Sequence, residues 1–154
     1  MTALFIDENM NPVGKAKEFE GDISKWDVSK AITMSMMFTY ASSFNGDISK
    51  WDVSRVTNMD QMFEHASSFN VDLSKWDVSS VNSMIQMFAS ASSFEQTLCG
   101  AWMDSKAEKD GIFEGSAGKI CSKASPTLPQ QDVEIGTLTT TSTSNKTTTI
   151  NTST

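Results

Sequence analysis

The chain has 154 residues, 38% of them hydrophobic, and a formal net charge of −7. This suits one modest folded domain with additional unstructured sequence. The acidic balance argues against nucleic acid or an anionic membrane as a partner. The sequence has no apolar run of about 18 residues, so we expect no membrane insertion. The residues up to Asp7 lack the pattern of a signal peptide, so a signal was removed, the chain is a fragment, or the protein is not secreted by that route.

A 25-residue unit occurs three times in succession. The string Ser-Lys-Trp-Asp-Val-Ser surrounds Trp26, Trp51 and Trp76. Phenylalanine, methionine and alanine columns keep the same spacing, so an internal repeat is indicated. We assign the complete repeats to residues 19–43, 44–68 and 69–93, and residues 1–18 to an N-terminal cap or truncated unit.

Within one unit the hydrophobic period changes. Residues 48–53 alternate, which predicts a short strand with Trp51 and Val53 inward. Residues 59–69 have apolar side chains at i, i+3, i+4, i+7 and i+10, which predicts a short helix. One strand and one helix per 25-residue coil predict an α/β solenoid, in which stacked units share a core and stacked tryptophans form a ladder.

The fourth unit, residues 94–125, is a degenerate copy that we interpret as a C-terminal cap. Cys99 lies at its predicted strand and Cys121 after its predicted helix, which one coil would bring together. We predict a Cys99–Cys121 disulfide; the alternative is two buried thiols in a reducing compartment. Residues 126–154 are rich in Ser and Thr, which predicts a disordered linker or stalk. Asn145 and Asn151 are candidate N-glycosylation sites there.

Two exposed faces are candidates for binding. Solenoids commonly bind partners over an extended surface, which here would be the predicted strand surface. The other face is the outer side of the predicted helix, where the units differ. The strand surface comprises Lys25, Asp27, Lys50, Asp52, Lys75 and Asp77. The variable positions are Lys30/Arg55/Ser80, Ser35/Asp60/Ile85 and Tyr40/His65/Ser90.

The polar columns do not have the spacing of a catalytic or metal site. The only histidine, His65, lies in a variable column, so we predict no catalytic residues, no cofactor and no enzymatic activity. The stacked aspartates are interpreted as part of a charge-balanced Lys/Asp face. Calcium is a weaker alternative, because the spacing is neither that of an EF-hand nor that of a nonapeptide repeat.

The repeat pattern resembles a known family. Trp51-Asp-Val-Ser54, Met62-Phe63 and Phe69-Asn carry a resemblance to the BspA-like leucine-rich-repeat surface proteins of the Mycoplasma-lipoprotein type. The resemblance is close over residues 19–98 and looser over 99–121. It implies a leucine-rich-repeat-like solenoid, although Val56 stands where such a repeat has asparagine.

The resemblance also implies an extracellular or cell-surface protein without catalysis. The expected function is adhesion, or binding of a protein or glycan on a cell or matrix surface, by a monomer. The alternatives are a structural spacer or surface-coat element, and, more weakly, a solenoid that binds calcium, ice or a mineral surface.

Overall fold

The computed structural model describes residues 18–122. The chain divides into two units, Met1–Lys123 and Ala124–Thr154, and every described residue belongs to the first. The predicted N-terminal cap up to residue 17, the Ser/Thr-rich stalk and the glycosylation candidates Asn145 and Asn151 lie outside the described residues.

The helices and strands of residues 18–122 are few and short. They are β1 (Thr97–Leu98), α1 (Ala101–Asp104) and β2 (Lys119–Ile120). Strands β1 and β2 pair in parallel, with Thr97 opposite Lys119. The three complete repeats contain turns and isolated bridges instead of the predicted strand at 48–53 and helix at 59–69. The prediction of an α/β, leucine-rich-repeat-like solenoid with a strand and a helix in each coil is therefore wrong.

Two consecutive β-turns take the place of the predicted strand. In the second repeat the Trp51 amide donates to the Ile48 carbonyl at 3.0 Å, and the Val56 amide donates to the Val53 carbonyl at 2.9 Å. Both bonds join residues i and i+3, as in a β-turn. Trp51 and Val53 are buried, as their alternation predicted, but successive turns place them inward.

A second run of turns replaces the predicted helix. In a helix each amide would bond four residues back along the chain. Here the Gln61 amide donates to the Ile85 carbonyl at 2.9 Å and the His65 amide to the Ala89 carbonyl at 2.8 Å, both in the next repeat. Gln61 and His65 have φ values of 55° and 56°, in the left-handed region, which a right-handed helix cannot contain.

The left-handed residues recur at two positions of each repeat. In the fourth repeat both positions are glycine, the residue that adopts positive φ at least cost. The same backbone shape therefore runs through four units whatever side chain each carries. The first column contains Met36, Gln61, Gln86 and Gly111, and the second contains Tyr40, His65, Ser90 and Gly115.

Phenylalanines form two stacked columns through the core. Phe63 stacks on Phe38 and on Phe88 with ring centroids 5.5 Å apart. Phe69 stacks on Phe44 at 5.9 Å and on Phe63 of the other column at 4.0 Å. All five rings are fully buried. The stacked rings are thus phenylalanines, whereas the sequence had indicated a tryptophan ladder.

Trp51, Trp76 and Trp102 each donate a side-chain hydrogen bond to the preceding repeat. The Trp76 indole N–H donates to the Ile48 carbonyl at 3.1 Å. That carbonyl also accepts the Trp51 amide, so one buried oxygen closes a turn and joins two repeats. The same indole bond joins Trp51 to Ile23 and Trp102 to Leu73.

We expect Trp76→Phe to lower the free energy of unfolding by about 1–3 kcal/mol, because it removes this hydrogen bond and leaves a cavity. Denaturant unfolding followed by circular dichroism measures the loss. Trp26→Phe is the matched control, because Trp26 is 40% exposed whereas Trp76 is 2% exposed. Equal losses of unfolding free energy in the two variants would contradict the conclusion that the Trp76 hydrogen bond stabilises the contact between repeats.

A second prediction concerns the first column of left-handed residues, to which Gln86 belongs. Gln86 has a φ of 52°, so Gln86→Gly should keep or raise the melting temperature, whereas Gln86→Val should cost roughly 1–2 kcal/mol. The same two changes at Ser80, which is exposed and has no positive φ, should show no such preference for glycine. A glycine variant at position 86 that melts below the valine variant would refute the backbone assignment.

Candidate functional site

The predicted binding face lies on the consecutive turns. We call it the turn face and define it as Lys25, Asp27, Lys50, Asp52, Lys75 and Asp77. All six side chains are exposed. Successive repeats are joined by backbone hydrogen bonds outside the turn face, and the turn face presents the same exposed Lys and Asp side chains in three successive repeats.

Six aspartates, two in each complete repeat, hold the turns that follow them. The Asp52 carboxylate accepts the Ser54 amide at 3.1 Å and the Ser54 hydroxyl at 2.6 Å. Asp47 accepts the same two groups of Ser49, at 3.0 and 2.7 Å. An aspartate that accepts the amide two residues ahead forms an Asx-turn. The repeated Asp-x-Ser spacing was the sequence signal for these turns. Asp22, Asp27, Asp72 and Asp77 accept a serine amide in the same way.

These hydrogen bonds determine the acidity of the carboxyls. The hydroxyl and amide of Ser54 lower the pKa of Asp52, and its like-charged neighbours Asp77 and Asp27 oppose the shift. The Ser49 bonds likewise lower the pKa of Asp47, with help from the positive charge of Lys50. The pKa of all six turn aspartates is lowered, so they remain ionised at neutral pH.

The variable positions do not lie on a helix. The Tyr40 and His65 rings stack with centroids 4.7 Å apart and an interplanar angle of 7°, and both residues are half-buried. Beside them, burial raises the pKa of Glu64, against the charge of His65 and the Gln61 hydrogen bond. The histidine expected in solvent therefore packs on the tyrosine of the preceding repeat.

Asp60, another variable position, joins repeats. Its carboxylate accepts the Ser83 hydroxyl at 2.5 Å and the Ile85 amide at 2.9 Å, both in the third repeat. It also accepts the Asn58 side-chain amide at 2.9 Å. Because the bonds to Ser83 and Ile85 cross between repeats, Asp60 joins the second repeat to the third.

An asparagine ladder runs outside the predicted sites. The Asn45 side-chain oxygen accepts the Asn70 amide at 2.9 Å, and the Asn70 side-chain oxygen accepts the Glu95 amide at 3.1 Å. The sequence feature that could have indicated this ladder is the Phe-Asn pair at the start of the second and third repeats. The ladder thus exists, but not at the Val56 position where a leucine-rich repeat has its asparagine.

The end of the repeat stack is closed by residues 117–121. The predicted Cys99–Cys121 disulfide is present, with Cα atoms 5.0 Å apart. Just before it, Gly118 lies so close to the terminal rings that a Cβ would meet Phe94 at 2.6 Å and Phe113 at 2.8 Å. Only a residue without a side chain covers the rings this closely.

A lysine ends one of the methionine columns. Lys109 stands at the position that buried methionines occupy in the three earlier repeats. Its ammonium group donates to the Ser105 carbonyl at 2.8 Å and the Ala107 carbonyl at 2.9 Å, and partial burial lowers its pKa. A charged group at this position indicates that the core ends here.

A cleft of about 430 Å³ lies between the third and fourth repeats. We call it the junction cleft and define it by Ser79, Val81, Asn82, Ala101, Asp104, Ser105 and Lys106. Its size is in the range typical of small-molecule sites. None of these residues belongs to the turn face or to the variable positions.

Residues 18–122 lack two further features, a cluster of metal ligands and a membrane-spanning helix. This part of the chain contains no group of three or more His, Cys, Asp or Glu side chains arranged to hold a metal ion. It also contains no helix with the length and apolar character needed to cross a bilayer.

The lowered aspartate pKa values predict acid sensitivity. A carboxyl whose pKa is depressed in the folded state stabilises the protein above its unfolded pKa of about 3.9, and this stability is lost as the pH falls through the folded pKa. We therefore expect the melting temperature to decrease when the pH is lowered below about 4. The decrease should be smaller in the triple variant Asp27→Asn, Asp52→Asn, Asp77→Asn. Differential scanning calorimetry across the acid range measures both.

The matched control for this experiment replaces Glu95, Asp110 and Glu114 with their amides, which removes the same charge outside the six Asx-turns. We expect its acid profile to follow that of the wild type. A control whose profile flattens as much as that of the turn variant would show that net charge, and not the Asx-turns, sets the acid sensitivity.

Comparison with known proteins gives one family match. A family model described as "Mycoplasma protein of unknown function, DUF285" matches residues 8–122, well over half of the chain. No curated protein and no solved structure matches. The match spans the three complete repeats and the disulfide-closed fourth. The chain therefore belongs to the DUF285 family of Mycoplasma proteins of unknown function.

Proposed function

We propose that this protein is a non-catalytic binding module of a secreted or cell-surface protein, and that it holds a protein or glycan of a cell or matrix surface against its turn face. The observation that carries the proposal is the repetition of exposed Lys and Asp side chains in three successive repeats, in register. Stacked repeats commonly bind partners over such extended surfaces.

The turn face is well ordered for binding. Each aspartate is held by its own serine, as in the Asp52–Ser54 pair, so little freedom remains to be lost when a partner docks. Three equal contact groups also favour a partner that repeats its own groups, because simultaneous contacts raise avidity. A polymer or a densely covered surface is such a partner.

The disulfide and the family resemblance support an extracellular location. Disulfides such as Cys99–Cys121 persist mainly in oxidising compartments. The repeats also resemble those of BspA-like surface proteins, and we propose that the chain shares their surface location.

The placement of the polar side chains supports a role without catalysis. The carboxyls with lowered pKa values, such as Asp52, are engaged in their own turns. His65 is stacked on Tyr40. These groups stabilise the repeats, and we assign none of them to acid–base chemistry.

A spacer is the second candidate function. The stacked Phe columns and the Trp76–Ile48 bond tie each repeat to the next, which suits a rigid element that separates other parts of a surface. A spacer would have no retained ligand, and this separates the two candidates experimentally.

The test compares the wild type with the triple variant Lys25→Gln, Lys50→Gln, Lys75→Gln on a glycan array and on immobilised host-cell and matrix proteins. We expect the wild type to bind a partner and the variant to bind at least about tenfold more weakly, since charged hydrogen bonds contribute about 1.5–3 kcal/mol each. The matched control Lys30→Gln, Arg55→Gln, Lys119→Gln removes three exposed positive charges outside the turn face.

Three outcomes are informative. Loss of binding in the turn-face variant alone supports the proposal. Equal loss in both variants indicates that net charge, and not the turn face, attracts the partner. A folded wild type that retains no partner on either surface favours the spacer.

A further inference from the structure

Asn45 and Gly46 form the only Asn-Gly pair in the sequence. In such a pair the backbone nitrogen of the glycine can attack the side-chain carbonyl carbon of the asparagine, because glycine has no side chain to obstruct the approach. The equivalent residues of the third repeat are Asn70 and Val71, and a stiff β-branched side chain hinders the same attack. Two equivalent asparagines of one ladder are therefore expected to differ in reactivity.

The nucleophile of this reaction is the backbone nitrogen of Gly46. The Gly46 amide donates none of the hydrogen bonds formed within residues 18–122, so no protein acceptor holds its proton. Asn45 is exposed and Gly46 is half-buried, so water can reach the pair. The nitrogen can thus give up its proton and attack without first breaking a bond of the fold.

The electrophile is the side-chain carbonyl of Asn45. Its oxygen accepts the Asn70 backbone amide of the next repeat at 2.9 Å. A hydrogen-bond donor at a carbonyl oxygen stabilises the negative charge that develops there when a nucleophile adds to the carbon. The contact that builds the asparagine ladder therefore also favours the attack on Asn45.

We infer that Asn45 is a site of spontaneous covalent modification, at which asparagine is converted to isoaspartate and aspartate through a cyclic imide formed with Gly46. Water is the only co-reactant. The inference is independent of the proposed binding role, because it concerns the chemistry of the chain itself.

The conversion has two steps. In the first, the Gly46 nitrogen loses its proton to water and bonds to the Asn45 Cγ, while the Cγ–Nδ2 bond breaks and ammonia leaves with a proton. In the second, water opens the imide on either side of the Gly46 nitrogen. Cleavage from Cγ gives aspartate, and cleavage from the backbone carbonyl carbon gives isoaspartate. The net change consumes water and releases ammonia, and nothing is oxidised or reduced.

Isoaspartate at position 45 changes the second repeat. The backbone then runs through Cβ and Cγ and is longer by one carbon atom, so the oxygen that accepted the Asn70 amide leaves its place. The Asx-turn from Asp47 to Ser49 follows at once, and Lys50 of the turn face comes next. The modification thus breaks the ladder between the second and third repeats and displaces the middle lysine of the turn face.

The test is incubation of the full chain at neutral pH and physiological temperature for several weeks, followed by peptide mapping with mass spectrometry and a separation that distinguishes isoaspartate from aspartate. We expect Asn45 to convert at least about tenfold faster than Asn70. The converted protein, isolated by ion exchange, should melt at a lower temperature than fresh protein, because one hydrogen bond between repeats is lost.

Two variants exchange the residues that follow the two asparagines. Val71→Gly should make Asn70 react about as fast as Asn45, because the Asn70 side-chain oxygen also accepts a backbone amide, that of Glu95 at 3.1 Å. Gly46→Val should protect Asn45. A Cβ at position 46 would meet the Phe44 ring at 2.8 Å, so circular dichroism checks that this variant folds. Val71→Gly only removes atoms and decides the test by itself if Gly46→Val does not fold.

Four results would overturn the inference. They are conversion of neither asparagine, equal conversion of Asn45 and Asn70 in the wild type, an unreactive Asn70 in Val71→Gly, and conversion of Asn45 only after the chain is unfolded in urea. The last result would show that the folded ladder blocks the reaction instead of favouring it.

Discussion

The hydrogen bonds that run from each repeat to the next are the constraint on which the rest of this structure depends. Buried backbone amides and carbonyls need partners, and here they find them across repeats, as Gln61 does with Ile85. Alternate amides of residues 59–65 point to the next repeat, and left-handed residues recur at fixed positions of this segment. The positive φ values at Gln61 and His65 are thus part of the backbone shape in which the repeats stack.

The side-chain columns follow from this register. Once equivalent backbone positions are joined, equivalent side chains lie over one another, and aromatic rings such as Phe63 and Phe88 stack face to face. The Trp76 indole then reaches the carbonyl of Ile48 in the preceding repeat. Long helices and strands are unnecessary, because the neighbouring repeat supplies the hydrogen bonds that these elements would supply internally.

The first three repeats and the fourth repeat have two different kinds of surface. In the first three repeats the register produces a surface of equal turns, each closed by its own aspartate and serine. In the fourth repeat the register shifts around Trp102, Gly118 covers the last phenylalanine rings of the stack, and Cys99 is joined to Cys121. The irregular end is thus both the cap of the core and the place where a cleft forms.

The sequence alone determined the 25-residue period, the buried columns and the cysteine pair. A period of 25 residues leaves no other alignment of Trp51 with Trp76, and conserved spacing of apolar residues within a chain reports burial whatever the local backbone. Cys99 and Cys121 could be paired because one repeat brings its two ends together. The acidic residues of the turn face were also identified as an exposed, repeated surface.

Only the tertiary structure decided how the backbone satisfies its hydrogen bonds. Apolar spacing of i, i+3 and i+4 arises from a helix and equally from successive turns with left-handed residues. Choosing between them requires knowing that a neighbouring repeat accepts the amide of Gln61. The role of Asp52 also required the tertiary structure, because only the backbone path shows that its bonds to Ser54 close a turn. The junction cleft likewise depends on where the backbone of the neighbouring repeat lies.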